Sequence, residues 1–389
     1  MARQRQIRIC REGAYYILVV VAVLAGGTVR QLNLLMLLGS ILAGPLLFSL
    51  IYGRLALRRI EVSRKLPSQS RADERLVVDV RVTNFRRWLA VWALQVEDIV
   101  QQEGTAQAAG EKVGVSVFYP AIAARETKQV SYDGRLPQRG RYRFGPLRVS
   151  TRFPLGLIRH GLLLEQNEEL IVHPKLGRLA HDWAQVVRES PTGSQSMSRR
   201  GLLEADFYGL RDWRPGDSRR SIHWRTSARR GSLVVRQFEQ RRSQDLAILV
   251  DLWQPPDATD EQFENVETAI SFAATVIAEA CRQSGRHLVL EMAARERLSR
   301  TGTASPLFFR EQMDALSLIM PHNEPGFPRS LGHAVALVPP SLPILLISTR
   351  PIDLEALGKA AAERDVVLAG RWLRGVDVAS DELARYFEL

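Results

Sequence analysis

Residues 14–29 read AYYILVVVAVLAGGTV and residues 32–52 read LNLLMLLGSILAGPLLFSLIY, and neither stretch holds a charge. Two uncharged apolar runs separated by Arg30 and Gln31 predict a helical hairpin long enough to cross a bilayer twice. As helix, the second run reaches about 31 Å; the first reaches about 24 Å and must recruit its flanks to cross a full hydrocarbon core. Tyr15, Tyr16 and Tyr52 stand at the ends, where amphipathic rings favour the headgroup level, and Gly44-Pro45 is a kink signal. A cleaved signal sequence would use the small residues Ala25, Gly26 and Gly27 for processing, but the second span follows at once and its far flank is basic.

Outward from the hairpin, Arg3, Arg5, Arg8 and Arg11 precede the first span and Arg54, Arg58 and Arg59 follow the second. By the positive-inside rule both termini, and with them the soluble body, are expected on the cytoplasmic side of a bacterial inner membrane. The 389-residue chain carries +11 overall; residues 1–59 account for +7 and residues 199–242 for another +7, so the remainder is −3. A chain whose surplus sits in two patches is not built as a uniform polyanion binder, and nucleic acid is not the expected partner. Cys10 and Cys281 are the only cysteines, which excludes a disulfide framework and a cysteine metal site.

The length calls for two or three folded units. Residues 60–174 read as a β-sandwich of the immunoglobulin or fibronectin type: residues 75–83, RLVVDVRVT, alternate with period two, and residues 113–119, 128–132, 147–151 and 162–172 add short β-prone runs between Pro and Gly. Residues 104–110 are expected as a loop. Residues 175–242 are a connector, with a short helix expected over 182–188. Residues 243–389 alternate: strands at 246–251, 288–292, 343–348 and 366–373, helices at 261–283, 306–320 and 353–364. Continuous apolar strands between helices predict a parallel, doubly wound α/β sheet whose ligands lie at the strands' carboxyl ends.

Residues 201–238 read GLLEADFYGLRDWRPGDSRRSIHWRTSARRGSLVVRQF. Asp206, Phe207, Leu210, Arg211, Trp213, Gly216, Asp217, Arg220, Ile222, His223, Trp224, Ala228 and Arg229 together resemble the hallmark of the domain-of-unknown-function 58 family, the YeaD-like proteins, with Trp213 and His223 as small departures. Arg139-Gly140-Arg141-Tyr142, Gly145-Pro146 and residues 153–157, FPLGL, are similar to the strand and turn ahead of that hallmark. The resemblance implies a membrane-anchored protein with a von Willebrand factor A-like domain, working beside a MoxR-type AAA+ ATPase and a transglutaminase-like membrane protein, and it implies no established reaction.

From the residues themselves, Arg211, Arg220, Arg225 and Arg229 can pair with Asp206, Asp212 and Asp217, either as an internal ion-pair clasp or, with arginine in surplus, as a docking surface. His223 with Asp206 or Asp217 is a candidate acid/base pair for a hydrolase, given hydrogen-bond reach. The aromatics Phe207, Tyr208, Trp213 and Trp224 can stack bases or meet lipid, although the surrounding Leu and Ile spacing predicts that they are packed inside. A von Willebrand A domain holds Mg²⁺ through Asp-x-Ser-x-Ser after its first strand; here Asp251 is followed by Trp253 and Pro255 in the hydroxyl positions, and Arg350 stands where a third acidic residue belongs. Guanidinium beside a cation is repulsive, so no metal is expected; Asp353 and Thr301-Gly302-Thr303 are the salvage ligands. Phosphate loop, nucleophile elbow, zinc-protease and dinucleotide motifs are absent, the other histidines read as incidental, and an interaction scaffold without cofactor or catalysis is expected.

Overall fold

The computed structural model describes residues 3–103, 112–180, 183, 207–214, 217, 219–238, 245–282, 285–324, 331–332, 335, 338, 342–362, 373–380 and 382–389. They divide into two units, Met1–Lys175 with Met313–Leu318, and Leu176–Gln312 with Ile319–Leu389. The expected loop at 104–110 and nearly all of the expected helix at 182–188 lie outside the described residues.

The first unit opens with a strand, β1 (Arg3–Ile9), where the arginines had been assigned only a flanking role. Helices α1 (Arg11–Arg30) and α2 (Asn33–Ala56) follow, both long and apolar enough to cross a membrane. At 20 residues α1 reaches about 30 Å, so the flanks supply the length that the uncharged run lacks. Gln31, in a left-handed conformation, turns the chain, and α2 continues through Pro45. The helices meet through glycine: a Cβ on Gly39 would lie 2.4 Å from Leu24. Their outer faces leave Leu18, Val21, Leu34, Leu37, Ile41 and Leu47 exposed, unlike a helix pair in a soluble core.

Strands β2 (Ile60–Lys65), β3 (Ser70–Arg71), β4 (Arg75–Asn84), β5 (Val91–Glu103), β6 (Lys112–Ile122), β7 (Thr127–Arg135), β8 (Gly140–Phe144), β9 (Leu147–Thr151), β10 (Ile158–Leu164) and β11 (Glu168–His173) complete the unit. The run at 162–172 is thus two strands, parted at Glu165-Gln166-Asn167, a polar turn that apolar continuity had masked. One sheet is ordered β1-β10-β9-β5-β8-β11-β3 with β6 on β5; the other is β2-β4-β7. Alternation sends Val80 and Val82 of β4 inward against Leu94 and Val96 of β5 and Val149 of β9, so the two sheets share one core. A buried polar link crosses it: Arg64 of β2 donates to Asp98 of β5 at 2.6 Å, and the Tyr132 hydroxyl of β7 donates to the other Asp98 oxygen at 2.7 Å. Burial and the Asp98 charge push the Tyr132 hydroxyl far above its ordinary pKa.

In the second unit, β12 (Arg178–Leu179) pairs with β20 (Phe387–Glu388), and β13 (Phe207–Asp212) and β14 (Val234–Phe238) form an antiparallel pair enclosing the helix α3 (Trp224–Arg230). The α/β part runs β15 (Leu246–Asp251), α4 (Asp260–Arg282), β16 (His287–Ala293), β17 (Leu298–Thr303), α5 (Pro306–Leu318), β18 (Ile344–Ser348), α6 (Leu354–Ala362) and β19 (Leu373–Asp377). Its sheet is ordered β17-β16-β15-β18-β19, parallel except for β17 at one edge. Every residue of β15 is buried, which is why it reads as an unbroken apolar run. The strand expected at 366–373 lies outside the described residues apart from Leu373, the first residue of β19.

Candidate functional site

The carboxyl end of the central strand is where an open parallel sheet presents its chemistry. Register aligns Asp251 of β15 with Ala293 of β16 and Ser348 of β18. The Asp251 side chain is fully buried and both of its oxygens are engaged: Oδ1 lies 2.8 Å from His322 Nε2, and Oδ2 accepts from Arg350 Nε at 2.8 Å and from the Ser348 hydroxyl at 3.4 Å. The Glu324 N–H donates to His322 Nδ1 at 3.2 Å, so the proton on Nε2 is the one aimed at Asp251. The Arg350 guanidinium lies over the Trp253 ring at 5.3 Å, and the Thr349 hydroxyl donates to the Trp253 carbonyl at 2.6 Å.

These residues do not fit a divalent cation. Trp253 covers Arg350, and the guanidinium stands against the Asp251 carboxylate, where it would repel a cation. Of the salvage ligands, the threonines are set apart by register. Thr301 to Thr303 lie in β17, where Thr303 pairs with His287 at the opposite end of β16 from Ala293, about 20 Å along the strand from the level of Asp251. Asp353 accepts from the Glu355 N–H at 3.0 Å at the start of α6. His322, read as incidental, belongs to the cluster; it stands in no periodic run and is joined to Trp253 by a single isolated bridge.

The arginine-rich segment is built on the β13–β14 pair. Arg211 holds Asp217 bidentately, both contacts at 2.7 Å, and the Arg214 N–H donates to the same carboxylate at 2.8 Å. The Arg211 hydrogen bonds hold the Asp217 carboxyl down at about 2. His223 caps α3, its Nδ1 accepting from the Thr226 N–H at 3.3 Å, and Gly231 ends the helix at φ 71°. The Ser227 hydroxyl accepts from the Val234 N–H at 2.9 Å and donates to the His223 carbonyl at 3.1 Å, fastening α3 to β14.

Asp206 and Gly216 lie outside the described residues, as do the side chains of Phe207, Tyr208 and Arg220; Phe207 begins β13 and Arg220 stands in a short 3₁₀ turn. Trp213 is half-buried. Trp224, expected inside, is 65% exposed, because Ile222 and Ser227 take the buried side of this segment and turn Trp224 outward. Arg225 and Arg229 are exposed, and among the described residues neither has an ion-pair partner.

Fold and site define a chain of two units: a β-rich body led by an apolar helical hairpin, and an open α/β unit preceded by an arginine-rich β-pair. Residues 209–304 match the family model DUF58, a protein of unknown function. The uncharacterized protein YeaD of Bacillus subtilis (strain 168) is 27% identical over 268 residues, 67% of this chain and 61% of that protein. The likeness to DUF58 thus rests on residues 209–304, and the chain spans less than two thirds of the length of that relative.

Among solved structures, the CARDB domain of PF1109 from Pyrococcus furiosus is similar at 14% identity, TM-score 0.18, over 29% of this chain and 86% of that one. The C-terminal domain of wzt is similar at 7% identity, TM-score 0.24, over 30% and 75%. A beta-glucosidase from Listeria innocua gives 18% identity, TM-score 0.21, over 29% and 16%. Likenesses this low carry no argument about fold or function.

Proposed function

We propose that this chain is an interaction scaffold held at the bacterial inner membrane by its hairpin, with the body and both termini cytoplasmic, and that it works with a MoxR-type AAA+ ATPase. Within that reading the second unit is a von Willebrand A-like domain, which is supported by its parallel sheet with one antiparallel edge strand, and which has lost its cation chemistry to Arg350. A transglutaminase-like membrane protein is a further candidate partner by family resemblance.

The observation that carries the proposal is the exposed face of α3. Trp224 beside Arg225 and Arg229 is the residue chemistry enriched where partners bind most tightly. Tagged full-length protein purified from native membranes is expected to retain the ATPase, and Arg229→Glu is expected to lose it while folding and membrane retention stay intact. Unchanged retention by a folded Arg229→Glu chain would sink the proposal.

The same face supports a second reading, binding of an anionic ligand, nucleic acid or lipid, by residues 199–242. A steep fall of affinity with salt would favour it. A hydrolase using His223 with Asp206 or Asp217 has less support: His223 Nδ1 caps α3, and the Asp217 carboxylate accepts from Arg211 and Arg214.

A further inference from the structure

The antiparallel pairing of β1 with β10 sets Arg8 directly opposite Arg159, and the next strand, β9, brings Arg148 to the same groove. Like charges facing each other across two strands destabilise the pair unless an anion answers them. Arg148 has Glu97 at 3.1 Å, but among the described residues Arg8 and Arg159 have no carboxylate partner. Gln6, Ser150 and Gly161 complete the lining. Gly161 stands between Gln6 and Ser150 in register, so the middle of the groove has no side chain and an oxyanion can approach the sheet.

The groove lies beside the hairpin. Arg8 is three residues before α1, about 10 Å of extended chain, and the Cys10 N–H fixes the end of β1 by donating to Leu157 at 3.0 Å. The end of α2 is tied to the same body: Arg86 donates to the Leu55 carbonyl at 3.0 Å and the Tyr52 hydroxyl to the Ala90 carbonyl at 3.1 Å. The loop so held exposes Phe85, Trp88 and Leu89, with Trp88 84% exposed, the kind of residues that settle at a membrane–water boundary.

We propose that Arg8, Arg148 and Arg159 bind the phosphate of an anionic phospholipid headgroup. Guanidinium groups match phosphate oxygens in forked, charge-assisted hydrogen bonds, and the cytoplasmic leaflet presents such headgroups at this level. The site rests on the membrane reading given under Proposed function.

The test uses the full chain in neutral detergent, with phosphatidylglycerol and phosphatidylcholine of equal acyl length as probes and retained lipid read by native mass spectrometry. The wild-type chain is expected to prefer phosphatidylglycerol about tenfold, and Arg159→Gln, which leaves the N-terminal flank untouched, to abolish the preference, as is Arg8→Gln. Arg81→Gln, an equal loss of charge on β4, is expected to keep it. Melting of Arg159→Gln in phosphatidylcholine nanodiscs is expected unchanged or higher, since a repulsion is removed; a fall of several degrees would make Arg159 structural and overturn the site. Equal retention of the two lipids by the wild type, or a preference kept by both variants, would also overturn it. Displacement of phosphatidylglycerol by inorganic phosphate, with no preference between the lipids, would assign the groove to a soluble phosphate and end the lipid proposal. Carbonate extraction separates the two readings: a wild-type chain released from membranes strikes the membrane reading and the site together, whereas a retained chain without lipid preference strikes the site alone.

Discussion

Asp251 spends its negative charge entirely inside the protein, on His322 and Arg350. Arg350→Ala is therefore expected to cost about 3–5 kcal/mol, since it leaves a buried carboxylate without its counter-charge. Urea unfolding followed by tryptophan fluorescence measures this, and adding Asp251→Asn should restore part of the loss because the two residues act as one unit. A single-variant cost below about 1 kcal/mol would mean that water reaches the carboxylate. Asp251 and Arg350 were legible in sequence because each stands at or just beyond the end of an apolar strand. His322 was not, since three-dimensional closure of a segment without periodicity brings it to Asp251. Trp224 was misplaced for a related reason: alternation rules say which residues share a face, and a seven-residue helix after a 3₁₀ turn offers too short a period to tell the buried face from the exposed one.

At the scale of elements, α3 depends on a few polar contacts more than on a core of its own. Ser227→Ala removes the acceptor for the buried Val234 N–H and is expected to cost about 1–2 kcal/mol, localised to 219–238. Hydrogen exchange would show it as faster exchange at Val234 and Val235 with β15 and β16 unchanged; slowing or no change there would refute the fastening role of Ser227. Strands with one buried face, such as β4, and fully buried strands, such as β15, were legible because burial writes itself into the order of residues. The edges were not. β17 reads LSRTGT and β1 reads RQRQIRI, and an edge strand has too little buried surface to impose an apolar pattern.

For the molecule as a whole, β1 precedes the hairpin and β10 follows it, yet the two pair along seven residues of one sheet. If the hairpin spans the bilayer, this pairing requires both of its ends on one side, independently of the charge rule. Tags at the N- and C-termini are accordingly expected to be digested together in inverted membrane vesicles and protected together in right-side-out ones. Digestion of one tag alone would contradict the spanning arrangement. The sum of charges had pointed the same way, but as a statistical tendency of arginine and not as a constraint of strand pairing.

That pairing has a practical side. A chain shortened to begin at Ile60, the natural choice for obtaining the body free of detergent, would lose β1 together with the hairpin. The edge of β10 would then be bare along its whole length, with its backbone groups unpaired and ready to zip onto another copy. The hairpin and the final stave of the sheet are cut by the same stroke, so a well-behaved body without the hairpin needs the first nine residues returned to it, grafted or supplied as a peptide.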